Sequence, residues 1–587
     1  MKKYLPYVKK YWYSFLLGPL FMILEACGEF ILPFVNAALI NTISDYKEGV
    51  YVATEGQMVE YILIQGALMA LIAVGMMITG VLGANFAIRG SVRLAAGVRR
   101  DVFSKVQKFS FSNIDDFTTG SLITRLTNDV TQIQNFCGTL LRGMFRSPVM
   151  LVGALVMSFA IRPDLAWVVF CIVPFLSLAI FVIIKTASPR YKGMQEAIDA
   201  LNSNIGETVT NERVIKSFVR EEYEIAKFKR KNDNLYDKSV RALKIMLFMM
   251  PASAIAVNVA TLLVVSLSAE PIMIGEMKIG DLTAFITYLG QILTALNFLA
   301  NIILQGARAG ASHRRIGEVL NAEVDLTDEG ASMKEKTVTE GSIVFRGVSF
   351  RYFKNKKDYV LSDIYLEIGG GELVGIIGST GSGKTTLVSM IPRLYDPDLG
   401  EVLIDGVPVT EYSLTNLRDS IAMVLQKNTL FAGTVAENLR WGKEDATDEE
   451  LIHVAKVAEA HKFITEFPEG YDTEIGRGGS RLSGGQKQRV CIARALLKKP
   501  KIIILDDSTS AVDTATDASI RRAFREELEG VTKLIVAQRI TSVIDADKII
   551  VLDEGRVVGV GSHRELLGKC RAYDEIYYSQ RDGKEDE

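Results

Sequence analysis

The amino-acid sequence predicts two structural classes in one chain: an α-helical membrane domain of six spans, then an α/β domain with a glycine-rich loop. The first half contains six apolar segments, each long enough for a helix to cross a hydrocarbon core, which takes ~20 residues. The second half alternates short β-rich runs with helical patterns, which is typical of α/β domains. Within it, an apolar strand pattern at 373–377 leads directly into a glycine-rich loop and a helical pattern.

Six membrane-spanning helices are predicted because these segments are apolar all round, whereas the buried helices of soluble proteins carry one apolar stripe. The connections at 89–135 and 187–243 are long, polar and helix-prone, which predicts that spans two to five continue as helices far into the cytoplasm. The predicted spans are 12–41, 60–88, 136–161, 164–186, 244–270 and 281–306.

Basic residues predict the orientation. Lysines cluster before the first span, and arginines and lysines follow the second, whereas the loops at 42–59 and 271–280 are poor in both. The positive-inside rule then places both termini and the α/β domain in the cytoplasm.

The predicted boundaries are a membrane domain at 1–320, a polar linker at 321–340, an α/β domain at 341–580 and a charged tail at 581–587.

The charge balance bears on possible partners. The chain has 67 Lys and Arg against 69 Asp and Glu, so it has no excess of basic residues to bind the phosphate backbone of a nucleic acid. Composition therefore argues against a nucleic-acid partner.

The glycine-rich loop fits the phosphate-loop pattern G-x-x-x-x-G-K-[ST] at every fixed position. Its glycines let backbone N–H groups turn toward phosphate oxygens, Lys384 would reach the β- and γ-phosphates, and the Thr385 hydroxyl would hold Mg²⁺. An apolar strand ending in Asp506 supplies the companion carboxylate for Mg²⁺. The predicted ATP-binding residues here are Gly378, Ser379, Thr380, Gly381, Ser382, Gly383, Lys384, Thr385, Thr386 and Asp506.

A second motif, Leu482-Ser483-Gly484-Gly485-Gln486, precedes an apolar helical pattern, with Ser483 in the position of a helix N-cap. Together with the phosphate loop and the strand ending in Asp506, this LSGGQ resembles the nucleotide-binding domain of ATP-binding cassette (ABC) transporters. Six spans followed by one cassette resemble a half-transporter of the exporter type, and the resemblance covers essentially the whole chain.

The resemblance implies that two cassettes pack head to tail, so that Ser483, Gly484, Gly485 and Gln486 contact the ATP held by a partner's phosphate loop. In this chain's own site it implies a Mg²⁺ contact for Gln426 and adenine stacking for Tyr352, although an ordinary strand tyrosine is an alternative for Tyr352. It further places Asp513 in the segment that crosses to the other cassette, and short coupling helices at 112–120 and 208–218.

Three positions depart from the family pattern. Asp507 stands where the family has a glutamate general base, and Gln538 stands where it has a histidine that contacts the γ-phosphate. Gly476-Arg477 replaces the usual Gly-Glu before LSGGQ. Asp507 is one methylene shorter than Glu, and Gln538 cannot carry the positive charge of an imidazolium. The catalytic candidates Asp507 and Gln538 therefore predict a site that binds ATP and hydrolyses it slowly.

An intact LSGGQ beside an altered catalytic pair resembles the degenerate-site subunit of heterodimeric bacterial multidrug exporters. The resemblance implies ATP-driven export of amphipathic small molecules, drugs or lipids, across a bacterial cytoplasmic membrane, with a second half-transporter as partner. The alternatives are a homodimeric lipid or peptide exporter and a nucleotide-regulated sensor or channel subunit that does not pump.

Polar residues inside the predicted spans are the substrate candidates. Glu25 and Glu29 lie four residues apart on one face of the first span, where charge by default marks function. They could attract a cationic amphipath or pair with a basic group on another helix. On the sixth span Asn297 and Asn301 belong to a polar stripe that could line a pathway or bond to neighbouring helices.

Overall fold

The structure is a computed structural model that describes residues 4–353, 358–507 and 514–582. It contains two compact units. The first comprises Met1–Gln107 and Thr119–Asn321, and the second comprises Lys108–Thr118 and Ala322–Glu587.

Residues 4–321 are mostly helical, with a π-helical turn at Arg125–Asp129. The helices are α1 (Leu5–Lys10), α2 (Trp12–Lys47), α3 (Glu55–Val106), α4 (Phe111–Phe117), α5 (Thr119–Thr124), α6 (Val130–Gly143), α7 (Arg146–Ile161), α8 (Pro163–Thr210), α9 (Glu212–Ser217), α10 (Glu221–Leu247), α11 (Met249–Met273) and α12 (Ile279–Asn321).

Five stretches of the described residues are long and apolar enough to cross a membrane: Trp12–Lys47, Glu55–Val106, Thr119–Ile161, Ala254–Met273 and Ile279–Asn321. The predicted fourth span forms the start of α8, where the apolar helical stretch Pro163–Phe175 is shorter. The count of six spans therefore stays a prediction.

Several helices are much longer than a bilayer requires. α3 has 52 residues and α8 has 48. At a rise of 1.5 Å per residue each extends about 70–80 Å, against about 30 Å for a hydrocarbon core. Helical continuations of the spans are present, as the polar connections predicted.

The core of the membrane unit is built around α12, where Phe285, Tyr288 and Ile292 are fully buried. Small residues on the neighbouring helices, including Ala37 and Ala154, lie in the same cluster. Small side chains let helix backbones approach closely, which is the usual way that membrane helices pack.

The second unit contains two sheets. A four-stranded antiparallel sheet has the order β2-β1-β4-β5, and a six-stranded sheet has the order β10-β9-β3-β8-β7-β6, parallel except for β10. The strands are β1 (Ile343–Phe350), β2 (Leu361–Ile368), β3 (Leu373–Gly378), β4 (Leu399–Ile404), β5 (Val407–Pro408), β6 (Ile421–Val424), β7 (Ile502–Asp506), β8 (Thr532–Val536), β9 (Lys548–Asp553) and β10 (Arg556–Gly561).

The second unit also contains helices beside its two sheets. They are α13 (Lys384–Ser389), α14 (Leu414–Asp419), α15 (Val435–Arg440), α16 (Asp448–Val457), α17 (His461–Thr465), α18 (Gly484–Leu497), α19 (Thr514–Glu527), α20 (His563–Leu566) and α21 (Arg571–Asp582). Short 3₁₀ turns lie at Gly470–Asp472, Arg477–Gly479 and Ile540–Ser542.

Strand β7 shows why the parallel strands have nearly continuous apolar sequences. All five of its residues are buried. Ile502 and Ile504 enter one apolar cluster, while Ile503 and Leu505 enter the other on the opposite face. A strand covered on both faces is apolar at nearly every position, and in β7 the one charged residue is the last, Asp506.

Asp405 anchors the chain where it enters the α/β unit. Its carboxylate accepts backbone N–H bonds from Thr339 at 2.7 Å, Glu340 at 3.1 Å and Ser342 at 2.9 Å. Burial raises the pKa of Asp405, but these hydrogen bonds outweigh it, so the pKa lies below its usual value. The ionised carboxylate therefore stabilises this segment.

Helix α4 belongs to the α/β unit although it lies early in the chain. The Ser112 hydroxyl donates to Asp325 Oδ2 at 2.7 Å, and Asn113 Nδ2 donates to the Glu323 carbonyl at 3.0 Å. Tyr395 donates its hydroxyl to Asp115 Oδ2 at 3.1 Å. The predicted coupling segment at 112–120 thus begins in α4, whereas the other, at 208–218, contains α9 and belongs to the membrane unit.

Candidate nucleotide site

The order of the parallel strands assembles the candidate site. Ligands of open α/β sheets bind at the carboxyl ends of the strands. There β3 ends at Gly378, β7 ends at Asp506, and Gln426 and Gln538 follow β6 and β8 by two residues. Since β3, β8, β7 and β6 are consecutive neighbours, residues far apart in sequence share one edge of the sheet.

The phosphate loop follows β3 and depends on glycine. Gly381 and Gly383 have φ of +86° and +94°, a region that favours glycine. A Cβ on Gly378 would lie 2.1 Å from the Leu552 carbonyl oxygen, so no side chain fits there.

Lys384 is folded onto this loop, with Nζ donating to the Gly378 and Ser379 carbonyls at 2.8 Å each. Burial lowers the pKa of Lys384, and the carboxylates of Asp507 and Asp506 oppose that shift. The ammonium group is thus held beside the loop in which phosphates would lie.

Thr385 and Asp506 form the centre of the predicted metal site. The Thr385 hydroxyl donates to Asp506 Oδ1 at 3.0 Å. Asp506 Oδ2 is buried and has no hydrogen-bond partner within the described ranges. Burial raises the pKa of Asp506 above its usual value, against the opposing Thr385 hydrogen bond.

The described residues contain no cluster of three or more His, Cys, Asp or Glu that could hold a metal. One carboxylate, one hydroxyl and the Gln426 amide oxygen are hard ligands that suit Mg²⁺, which keeps waters and phosphate oxygens as its other ligands. The orphaned Asp506 oxygen and this donor set therefore fit Mg²⁺.

Asp507 accepts hydrogen bonds from two side-chain amides. Gln538 Nε2 lies 2.8 Å from Asp507 Oδ2, and Gln426 Nε2 lies 3.4 Å from the same oxygen. The Asp507 backbone has φ of +47° and donates its N–H to the Val536 carbonyl at 2.9 Å. Both catalytic candidates are thus in direct contact, and these two amide donors stay neutral.

Tyr352 lies two residues beyond the end of β1, so it is not a strand residue. Its hydroxyl shares a hydrogen bond of 2.8 Å with Thr386 Oγ1, next to the phosphate loop. The ring stands edge-on to Tyr395 at 5.2 Å and borders a cavity of about 710 Å³. Tyr395 was not predicted as a site residue, because a single aromatic after a helix carries no motif.

The LSGGQ motif opens α18 as its spacing predicted. Ser483 is the N-cap: its Oγ accepts the Gln486 N–H at 3.3 Å, while Gln486 Oε1 accepts the Ser483 N–H at 2.9 Å. Ser483 and Gly484 are exposed, and Gly485 and Gln486 are half-buried. Asp513 lies outside the described residues.

In the membrane unit, Arg146 of α7 approaches both acidic substrate candidates of α2. Its Nη2 contacts Glu29 Oε1 directly and lies 3.8 Å from Glu25 Oε1. This is the arrangement expected if the acidic pair is structural. Asn301 accepts a hydrogen bond from Gln305 at 3.2 Å, and Asn297 is half-buried on the same helix.

A helical membrane unit and an α/β unit with a phosphate loop, a metal carboxylate and LSGGQ at a helix start define an ATP-driven membrane transporter. Family models for the ABC transporter transmembrane region and the ABC transporter match residues 15–296 and 361–510.

The chain is similar to known proteins over its full length. It is 36% identical over 587 residues, 100% of both chains, to the Bacillus subtilis protein YfiB, named an uncharacterized ABC transporter ATP-binding protein. It is 33% identical over 485 residues, 82% of this chain and 83% of the relative, to B. subtilis YgaD, named a putative multidrug export ATP-binding/permease protein. A solved bacterial Atm1-family ABC exporter with ATP bound matches with a TM-score of 0.81 and 25% identity over 98% of both chains.

The chain belongs to the ABC transporter family and is an exporter half-transporter with fused membrane and ATP-binding domains. The predicted fold class, a helical membrane domain joined to an α/β ABC domain, is confirmed apart from the number of spans. The ABC domain implies ATP binding coupled to transport. Such exporters act in the bilayer as homodimers or with a second half-transporter.

Proposed function

We infer that this chain is one half of a heterodimeric exporter, and that its own ATP site binds nucleotide but turns it over slowly. The observation that supports this is the contact of Asp507 with Gln538 and Gln426. A general base must accept a proton from water and release it, and its hydrogen-bond partners tune that transfer. Here both amide donors are neutral and cannot relay a proton.

The other residues of the site have binding roles. Backbone N–H groups of 378–385 and Lys384 would hold the phosphates, and Tyr352 would stack on adenine. Thr385, Asp506 and Gln426 would hold Mg²⁺, which supplies charge neutralisation for the phosphates when bound. Ser483, Gly484, Gly485 and Gln486 would complete the partner's ATP site.

The proposed cargo is an amphipathic small molecule, a drug or a lipid. Support comes from relatives in B. subtilis and Staphylococcus aureus that are named putative multidrug export ATP-binding/permease proteins. The proposed place is a bacterial cytoplasmic membrane, with six spans, both termini inside, and domain boundaries near 320 and 340.

The test is the ATPase rate of this chain alone and co-purified with its candidate partner. In the complex, Asp507→Ala is expected to change turnover by less than about two-fold, while changing the partner's matching glutamate abolishes it. A matched control is Asp363→Asn, an exposed aspartate on β2.

The alternatives predict different results. Brisk turnover by this chain alone that Asp507→Ala stops would establish a homodimer with a competent base. Nucleotide binding without turnover in any complex would establish a sensor or channel subunit.

A further inference from the structure

A polar, open-sided cavity of about 600 Å³ lies in the membrane unit between α3, α6 and α12, and Arg142, Arg308 and Asn301 in its lining are exposed. Ile88 and Val92 give it an apolar side, and Arg142 and Arg308 stand on its wall. No Asp or Glu is among its described lining residues. The cavity lies where the predicted spans 60–88 and 281–306 end, on the predicted cytoplasmic side.

The two arginines differ from two others nearby, Arg125 in the π-helical turn before α6 and Arg315 in α12. Arg125 pairs with Glu318 at 2.9 Å, and Arg315 pairs with Asp129. Arg142 and Arg308 form no ion pair with any residue that the structure describes. Within the described residues, Arg142 donates through Nε alone, to the Gly138 carbonyl at 3.2 Å, so its two terminal nitrogens are available as donors.

Three side chains lining the same cavity form a hydrogen-bond chain in which each donates to the next, from Thr139 through Gln305 to Asn301. The Thr139 hydroxyl donates to Gln305 Oε1 at 3.0 Å, and Gln305 Nε2 donates to Asn301 Oδ1 at 3.2 Å. Each amide oxygen in this chain accepts one of these bonds, and the Asn301 amide N–H groups remain as donors at its end. This side of the cavity therefore offers N–H donors from Asn301 and positive charge from Arg142 and Arg308.

We propose that this cavity binds the anionic head group of an amphipathic molecule, with Arg142, Arg308 and Asn301 as its contacts. A carboxylate, phosphate or sulfonate accepts guanidinium N–H groups in charge-assisted bonds. The acidic pair Glu25 and Glu29, which would have favoured a cation, already contacts Arg146. This proposal rests on the proposed function, the export of amphipathic molecules, and it restricts the exported molecules to anionic ones.

The head group can belong to a transported molecule or to an anionic lipid of the surrounding leaflet. The experiment uses the full transporter in phosphatidylcholine nanodiscs without ATP, titrated with dansylaminoundecanoate and with its uncharged methyl ester. Because two charge-assisted bonds are lost with the ester, the carboxylate is expected to bind at least about ten-fold tighter. The double change Arg142→Gln and Arg308→Gln should remove that preference.

Two variants keep the test independent of folding. Arg89→Gln removes an exposed arginine of α3 that does not line the cavity, and it should leave the preference intact. Arg142→Lys with Arg308→Lys keeps the charge and should restore part of the preference. Thermal unfolding checks that each variant is folded.

A second arm replaces part of the phosphatidylcholine with phosphatidylglycerol. A weaker apparent probe affinity there assigns the site to leaflet lipid, and an unchanged affinity assigns it to cargo. Equal binding of acid and ester, or an equal loss in Arg89→Gln, would overturn the proposal. Since no ATP is present, such a failure is separate from any failure of the proposed ATPase asymmetry.

Discussion

Gln538 donates a hydrogen bond to Asp507, with 2.8 Å between Nε2 and Oδ2, across the ends of the neighbouring strands β8 and β7. Both residues depart from the family pattern, and the structure places them in contact. An imidazole at the same position could change its protonation state near neutral pH, but an amide cannot. The two residues that differ from the family pattern are therefore the donor and the acceptor of the same hydrogen bond.

Restoring both residues should restore turnover. The double change Asp507→Glu and Gln538→His is expected to raise the ATPase rate of this chain alone by at least about ten-fold, since a positioned acid–base group typically contributes roughly 10²–10⁴-fold. Steady-state phosphate release measures it. Adding Lys384→Ala to the double variant is the control and should abolish the gain. An unchanged rate in the double variant would refute the explanation.

Removal of the Tyr352 ring should weaken ATP binding. Stacking of a base on an aromatic ring contributes about 1–3 kcal/mol, so Tyr352→Ala should lower the affinity for ATP by about five-fold or more. Tyr352→Phe keeps the ring and loses only the hydrogen bond to Thr386, so its affinity should stay within about three-fold. Equilibrium binding of a fluorescent ATP analogue measures both. Tyr365→Ala, at an exposed tyrosine of β2, is the matched control.

Arg146 should stabilise the membrane unit. Its side chain is 28% exposed and that of Glu29 is 19% exposed, so Arg146→Ala leaves two poorly solvated carboxylates. The melting temperature of Arg146→Ala should fall by several degrees. The fall should be larger for Glu29→Gln than for Glu25→Gln, because Glu25 lies farther from Arg146 than Glu29 does. Thermal unfolding in nanodiscs measures these shifts, with Glu60→Gln on the exposed face of α3 as control. Equal shifts for the two glutamates would contradict the assignment.

Asp405 should make stability depend on pH. Because its folded pKa is depressed, its contribution is complete above the usual value of 3.8 and disappears as pH falls through the folded pKa. Solvent screening limits that contribution to about 1 kcal/mol. Asp405→Asn should therefore melt lower than the wild type at pH 6, and the gap should close below about pH 4.

The control for this test is Asp363→Asn. Asp363 is exposed, and its φ of +53° is close to the +50° of Asp405, so backbone strain is matched. Melting curves across the pH series should show no pH-dependent gap for this variant. A gap as large as that of Asp405→Asn would show that backbone conformation, and not the carboxylate, is responsible.

Local patterns account for what the sequence could predict. The phosphate loop, the strand ending in Asp506 and the N-cap Ser483 each depend on a few consecutive residues, so their structures follow from short-range chemistry. Contacts between residues that are far apart in the sequence have no local sequence pattern that could predict them. Arg146 lies 117 positions from Glu29, and Asn113 lies 210 positions from the Glu323 carbonyl, so only the assembled chain reveals these contacts. For the same reason the contact between Asp507 and Gln538 could be named from the sequence only as two separate departures.

The placement of α4 makes the ATP-binding unit discontinuous in sequence. A truncated chain that begins at Ala322 would lack Lys108–Thr118, and with it the groups that meet Asp325, Glu323 and Tyr395. No single cut releases this unit whole, and a cassette purified from such a truncation would expose a surface that the intact polypeptide covers. Adding back a synthetic peptide of residues 108–118 should therefore raise the melting temperature of the truncated cassette.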